Sequence, residues 1–490
     1  MSSCTRSACR PGLPWLAGRI AATALLVALC AAGARAQDGA ARAPARLLGP
    51  PLLVRPTTDG ITIHVVFAGE GGEGIGLEVW PDGEEGPLDT DEPRAPPPPE
   101  LLAPDALLWR VTGLRPATRY RYRIRTGDRA AAAGSFVTRR PPGEAFTFAL
   151  LSDAHIFVRD FTEAELAAHP LPAAVVRRYR TEENAKWTLR MWRAYGHAIL
   201  PRVAGLVRKD RPDFLVNLGD VIDLHGFGFN VPVPDESWMR KGLLDYRRLL
   251  GPLAAHVAHF TVLGNWDGES GHFSEAEQQR ARGPRHIYLP NPRPEDAPEG
   301  GGVHQDYYAF TWGDALFVVL NVVSYTPTAH LLDRTADPGR PDDYTLGEEQ
   351  MAWFARTLAE ARSRWRFVCI HHAVGGNAGD VRNSAYGRGG GRAAQVGEQA
   401  RVHALLRKHG VHVFFYGHDH VFTDRVVDGI HYTLPGSAGA PWKFTRAETG
   451  YETSWPDSGY ARVHVAPDRV EVVFVDVEGR QLHRYALGVD

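Results

Sequence analysis

The 490-residue chain predicts a layered α/β protein, two sheets flanked by helices, preceded by a smaller all-β domain. Three observations carry that expectation. Short apolar runs rich in β-branched and aromatic residues recur along the chain, as interior strands do. From residue 145 onward they alternate with segments of helical periodicity, which argues for an α/β topology over an all-β one. Ahead of residue 145 the runs are separated by turns and no helical segment accompanies them.

Residues 1–36 read as a signal peptide: Arg6, Arg10 and Arg19 lead into a small, apolar run over 20–33, closed by Ala34-Arg35-Ala36 before Gln37. The run is too short to span a bilayer, and the large Leu29 disfavours lipid attachment at Cys30. The expected location is secreted or periplasmic, with no transmembrane anchor after cleavage. Cleavage removes Cys4, Cys9 and Cys30 and leaves Cys369 alone, so the mature protein depends on core packing without an internal disulfide. Residues 37–57, rich in Ala, Arg and Pro, read as an extended linker. An all-β domain follows over 58–142, with strands expected at 61–68, 77–80, 107–111, 120–126 and 134–138. The Gly/Glu stretch at 70–76 and the acidic, proline-rich 82–99 are expected surface loops.

The larger domain is expected over 145–490. Strands at 146–151, 214–218, 259–263, 366–370 and 411–416 each run directly into a polar cluster. The clusters are Asp153-Ala154-His155, Gly219-Asp220-Val221-Ile222-Asp223, Gly264-Asn265-Trp266-Asp267, His371-His372 and Gly417-His418-Asp419-His420. Layered α/β proteins hold their functional groups at the carboxyl ends of strands, so five such ends become neighbours despite their separation in sequence. Between them lie a helix over 182–207, a hairpin at 306–321, and helices over 348–361 and 398–408. Strands at 430–434, 461–465, 470–477 and 482–487 complete the sheets. The segments 224–238 and 269–302 read as structureless insertions suited to lidding a pocket.

Neutral imidazole, carboxylate and amide oxygen together suit zinc, manganese or iron, whereas a magnesium site is mostly oxygen. Two such cations sharing a carboxylate bind a phosphate oxygen and supply hydroxide at neutral pH, which is phosphoester hydrolysis without a covalent protein nucleophile. Cys369 lies inside the strand ahead of His371 and reads as a buried thiol. Arg382 and Arg388, in the glycine-rich run behind His372, are candidate phosphate clamps. The formal net charge of -2, with 44% hydrophobic and 23% charged residues, is that of a soluble globular protein and gives no dedicated nucleic-acid surface.

The order Asp-x-His, Gly-Asp-x-x-Asp, Gly-Asn-x-Asp, His, Gly-His-x-His resembles the calcineurin-like metallophosphoesterase superfamily over roughly residues 145 to 445. The β-rich segment ahead of it is similar to the arrangement of purple acid phosphatases and their secreted bacterial relatives. Within it, the stretch from Leu114 to Tyr120 resembles the entry into a late strand of fibronectin type III domains. The likeness implies a two-sheet metallophosphoesterase sandwich that holds two metal ions, iron, zinc or manganese. Asp153, His155 and His420 would hold the first, Asn265, His371 and His418 the second, and Asp220 would bridge them. His371 is preferred to His372 because the family's lone histidine directly follows the strand; His372 is left as a contact to the substrate phosphate or as a proton donor.

Two positions depart from the pattern. Trp266 stands where familiar members carry a histidine that contacts the phosphate or assists proton transfer. A donor then comes from elsewhere, with His372, His225 and His272 as candidates, or the leaving group departs unaided. Trp266 itself is a candidate stacking contact for substrate. Asp223 replaces the metal-ligating tyrosine of purple acid phosphatases and reads as a carboxylate that receives a ligand histidine's other ring hydrogen. The expected function is hydrolysis of small phosphorylated substrates by a metal-activated hydroxide, with phosphomonoesters slightly favoured. The alternatives are a phosphodiesterase or, because of Trp266, a non-catalytic metal-containing surface or binding protein. The oligomeric state has no sequence signal.

Overall fold

The computed structural model describes residues 45–69, 71–82, 98–224, 226–227, 231–296, 299–327, 345–372, 397–441, 451 and 453–488. The expected signal peptide, His225, Arg382 and Arg388 lie outside the described residues. From Ala45 onward the chain is one compact unit.

Eight strands open the described chain: β1 (Arg46–Leu47), β2 (Leu52–Val54), β3 (Ile61–Ala68), β4 (Ile75–Pro81), β5 (Glu100–Ala103), β6 (Ala106–Val111), β7 (Arg119–Thr126) and β8 (Arg129–Val137). They form one sheet in the order β1-β3-β6-β5, with β2 also on β3, and a second in the order β4-β7-β8. Alternation is clearest in β7, where Tyr120, Tyr122 and Ile124 are buried beside Ile63, Val65 and Trp109 while Arg121 is exposed. The Tyr120 hydroxyl accepts from the Arg115 N–H at 2.8 Å, a corner contact known from β-sandwiches. β1 and β2 occupy part of the segment expected to be an extended linker. Leu53 joins the cluster that holds Ile63 and Trp109, while Leu52 and Val54 join the cluster on the opposite side. A strand covered on both faces shows no alternation, and the prolines at 50, 51 and 56 disguise it further.

The remaining strands are β9 (Phe146–Leu151), β10 (Ile156–Phe157), β11 (Phe214–Asn217), β12 (Ile222–Asp223), β13 (Ala258–Thr261), β14 (Tyr308–Trp312), β15 (Ala315–Val319), β16 (Trp365–Cys369), β17 (Val413–Phe415), β18 (Phe422–Val427), β19 (Ile430–Pro435), β20 (Gly459–Val465), β21 (Arg469–Asp476) and β22 (Gln481–Gly488). They build two six-stranded sheets, β13-β11-β9-β20-β21-β22 and β14-β15-β16-β17-β19-β18, with β10 and β12 paired separately. Aromatic rings fill the space between the sheets. Phe260 stacks on Phe310 at 3.9 Å between centroids, and Phe148 meets Phe317 edge-on at 5.0 Å.

Among the described residues seven α-helices cover the outer faces or lie beside them: α1 (Glu163–Ala168), α2 (Ala173–Arg178), α3 (Glu182–Asp210), α4 (Glu236–Leu250), α5 (Glu275–Tyr288), α6 (Glu348–Glu360) and α7 (Gly397–Lys408). Leu200, Val203 and Val207 of α3 and Met239 and Leu243 of α4 pack with Ala149, Leu151 and Leu215 of the first sheet. Trp353, Phe354 and Leu358 of α6, with Val402 and Leu406 of α7, do the same on Val318, Val368 and Phe414 of the second. The expectation of a structureless insertion over 269–302 is corrected by α5, which starts at a full capping box between Ser274 and Glu277. Its buried face carries Arg282 and Arg285 beside Ala281 and Tyr288, so an apolar stripe is missing from its sequence. Likewise α4 begins within the expected 224–238 loop, capped by Asp235.

The sheets are parallel where it matters. β9, β11 and β13 run together in level register, with Leu151, Asn217 and Thr261 side by side, and β16 and β17 align Cys369 with Phe415. All five strands therefore deliver their polar ends to one edge.

Candidate metal centre

Asp153, His155, Asp220 and His420 each place one ligand atom within 4.8 Å of the others, and His371, His372 and His418 form a second such group. Asp220 stands between them. Its Oδ2 is buried and lies 3.2 Å from His155 Nε2 and 3.1 Å from His371 Nε2. Its Oδ1 accepts from the Trp266 N–H at 2.8 Å. Asn265 Oδ1 lies 2.9 Å from His418 Nδ1 and 3.2 Å from His371 Nε2. His420 Nε2 lies 3.1 Å from His155 Nε2 and 3.2 Å from Asp153 Oδ1. A buried anionic oxygen aimed between two imidazole nitrogens, with further imidazole and carboxylate ligand atoms around it, fits a ligand to a cation.

Contacts behind the cluster fix which nitrogen faces inward. His155 Nδ1 is 2.7 Å from Asp223 Oδ2, His371 Nδ1 is 2.8 Å from Leu218 O, and His420 Nδ1 is 2.9 Å from Pro441 O. Each ring donates outward through Nδ1 and so turns its Nε2 to the centre, where a proton or a cation can occupy it. Asp267 accepts from the backbone N–H groups of Gly264 at 2.8 Å, Asp220 at 3.1 Å, Val221 at 3.0 Å and Ile222 at 3.2 Å, tying two of the loops together. Its place in the Gly-Asn-x-Asp motif was the only sequence signal of that role.

The backbone is strained at the same points. Asp153, His155, Asp220, His418 and His420 have φ of 53°, 46°, 51°, 79° and 55°, five of the twelve non-glycine residues with positive φ among the described residues. Such conformations persist only where the surroundings impose them, and they gather at functional sites. Two glycines allow the loops to approach. A Cβ at Gly264 would lie 2.2 Å from Asp220 N, and one at Gly417 would lie 2.2 Å from Ser152 Oγ.

Charge is shared tightly. Burial opposes protonation of His155 and His371, but Asp220, with Asp153, outweighs it, holding His155 well above the usual imidazole value and His371 at about 9. Against burial, the imidazoles hold Asp153 and Asp220 below the carboxylate range. Burial and the Asp220 charge push Asp267 up to about 7. Protons and cations therefore compete for the same nitrogens. Cation uptake near neutral pH is expected to release protons and to weaken as pH falls below the His371 value. Calorimetric titration in buffers of different ionisation heat measures this, and identical heats in all buffers would refute it.

His372 is fully buried, its ring 4.4 Å from His418 and 4.8 Å from His371. Trp266 is 7% exposed and belongs to the same apolar cluster as Leu224, Phe227, Val233 and Ala281, its ring edge-on to His155 at 6.2 Å. It walls the first histidine. His272 carries two buried ring nitrogens with no hydrogen-bond partner among the described residues.

A family model described as calcineurin-like phosphoesterase matches residues 146–422. The chain is 25% identical over 171 residues to the tartrate-resistant acid phosphatase type 5 of Oryctolagus cuniculus, a match over 31% of this chain and 46% of that protein. It thus spans about half the length of this curated relative. A solved structure of PhoD superposes with a TM-score of 0.61 at 15% identity, covering 90% of both chains, a likeness of fold alone.

Proposed function

The chain belongs to the calcineurin-like phosphoesterase family, and from that premise we propose that it is a metal-dependent hydrolase of small phosphoric esters, with phosphomonoesters slightly favoured over phosphodiesters. The observation that carries this reading is Asp220 Oδ2, set 3.1–3.2 Å from imidazoles of both histidine groups. In this reading Asp153, His155 and His420 would hold one cation and Asn265, His371 and His418 a second, with Asp220 a ligand to each. Cations held there would supply Lewis acidity toward phosphate oxygens and a source of hydroxide at neutral pH. The mixed nitrogen and oxygen donors suit iron, zinc or manganese.

The protein's own part is orientation and proton supply. Asp223 fixes the His155 tautomer, and Asp267 holds the Asp220 and Asn265 loops in register. His372, packed on His418, is the imidazole we assign to the phosphate or to the departing oxygen. His225, Arg382 and Arg388 keep the roles read from the sequence, outside the described residues. The indole at 266 has no acidic proton for an alkoxide. The monoester preference draws support from the similarity to an acid phosphatase. The division into a β-sandwich over 58–142 and a catalytic domain over 145–490 belongs to the same proposal, as does export directed by residues 1–36. No helix of the described residues is long and apolar enough to cross a membrane.

A phosphomonoester and a phosphodiester that share one chromogenic leaving group test the class, after metal reconstitution and elemental analysis. Faster turnover of the monoester is expected, with rates falling steeply as the leaving group becomes more basic. Folded, metal-loaded protein that turns over neither ester would overturn the hydrolase reading in favour of the binding protein that Trp266 suggests.

A further inference from the structure

The turn that carries His418 and His420 is strained at both histidines, with φ of 79° and 55°. Something must hold it. The backbone supplies part of the answer: Gly417 N–H donates to His371 O at 2.9 Å, Asp419 N–H to Gly417 O at 3.0 Å, and His418 N–H to the Asp153 carboxylate at 3.0 and 3.1 Å. The side chain between the two histidines supplies another. Asp419 is 1% exposed, and its Oδ2 accepts from the Tyr451 hydroxyl at 2.9 Å. The Tyr451 oxygen in turn accepts from the Tyr416 hydroxyl at 2.9 Å. Both phenols belong to the apolar cluster outside the second sheet, beside Val421, Tyr432 and Leu434. A buried carboxylate anchored to rings set in a packed core has little freedom, and neither has the residue on each side of it.

We propose that Tyr451 and Tyr416 are positioning residues that act through Asp419 to hold the His418 and His420 imidazoles in ligand geometry. This rests on the reading of those histidines as metal ligands. Tyr451 lies thirty-one residues beyond His420 in the sequence and within no motif, so only the fold reveals it. The role asks for a hydrogen-bond donor at 451 and an acceptor at 419. It does not require the Asp419 charge.

Cobalt(II) titration of the full chain tests the assignment, read by chelator competition and by the visible absorption of the bound ion. Tyr451→Phe is expected to keep the unfolding temperature of the metal-free protein, to bind cobalt roughly ten-fold more weakly, and to shift the absorption bands. Tyr416→Phe is expected to move both readouts the same way by less. Asp419→Asn, which keeps an oxygen for Tyr451, is expected to stay near the wild type, whereas Asp419→Ala follows Tyr451→Phe. Wild-type affinity and spectrum in Tyr451→Phe and Asp419→Ala would overturn the proposal. Should Tyr451→Phe not fold, Tyr416→Phe decides by the same criteria. A His418→Ala control separates the two ideas: unchanged cobalt binding there would sink the ligand reading itself.

Discussion

Asp220→Asn is expected to remove phosphoester turnover and most of the bound metal while leaving the fold in place. The substitution is isosteric, so the Trp266 N–H that now donates to Oδ1 at 2.8 Å still finds the amide oxygen. The amide nitrogen then occupies the position of Oδ2, 3.2 Å from His155 Nε2 and 3.1 Å from His371 Nε2. It presents two N–H donors where an anionic acceptor stood, and these satisfy the imidazole lone pairs that a cation needs. Loss of the several kcal/mol that bound cations contribute at a phosphoryl centre corresponds to a fall in kcat/KM on the order of a thousand-fold. The Asp267 carboxyl, no longer facing the Asp220 charge, is expected to ionise more readily. Kinetics on the chromogenic monoester and elemental analysis of the purified variant give the answer. A variant that keeps its metals and most of its turnover would show that Asp220 does not lie between two cations.

The edge that carries the candidate ligands was legible because its parallel strands read as mostly apolar runs, broken only by Thr147 in Phe146–Leu151 and by Arg366 in Trp365–Cys369, and end abruptly at polar residues. The donor types were equally visible. What orients them was not: Leu218 O and Pro441 O fix two of the histidines, and backbone carbonyls leave no trace in a sequence. The positive φ of five ligand candidates was hidden too, since aspartate and histidine enter that region more readily than most residues yet occupy it only at a minority of their positions. Helix α5 shows no hydrophobic periodicity because its inward side is partly ionic, with Arg282 and Arg285 buried. Its capping box was the readable signal: serine at 274 and glutamate at 277 promise a helix start whatever follows. Trp266 shows the limit of motif reading. Its identity announces a missing imidazole, while its burial among Leu224, Phe227 and Val233 could be learned only from the packing.

Glu269→Gln is expected to cost about 3–5 kcal/mol of stability, the range for breaking a buried ion pair from one side. Glu269 Oε1 is 2.5 Å from Arg285 Nε and its Oε2 is 3.1 Å from Arg285 Nη2 and 3.3 Å from Arg282 Nε. The three side chains are buried, and neutralising the carboxylate leaves two guanidinium charges facing each other. Other acceptors soften the loss without removing it: Arg285 also reaches Gln305 O at 3.0 Å and His304 O at 2.7 Å, and Arg282 reaches Glu275 at 2.6 Å. The penalty is a large share of the stability of an ordinary domain. The pH dependence has a definite sign. Burial pushes the Glu269 carboxyl up, but Arg285 and Arg282 outweigh it and hold the group below its ordinary value. A depressed folded value means that the contribution is present above the unfolded value of about 4.3 and is lost as pH falls through the folded one. Urea, which leaves ion pairs unscreened, measures the difference between variant and wild type. The gap is expected in full at neutral pH and to narrow in acid. A gap that is constant with pH would assign the loss to packing instead of charge. Because Glu269 follows Asp267 by two residues, the same variant is expected to loosen the Asn265 loop and lower metal retention, coupling the ion pair behind α5 to the centre it supports.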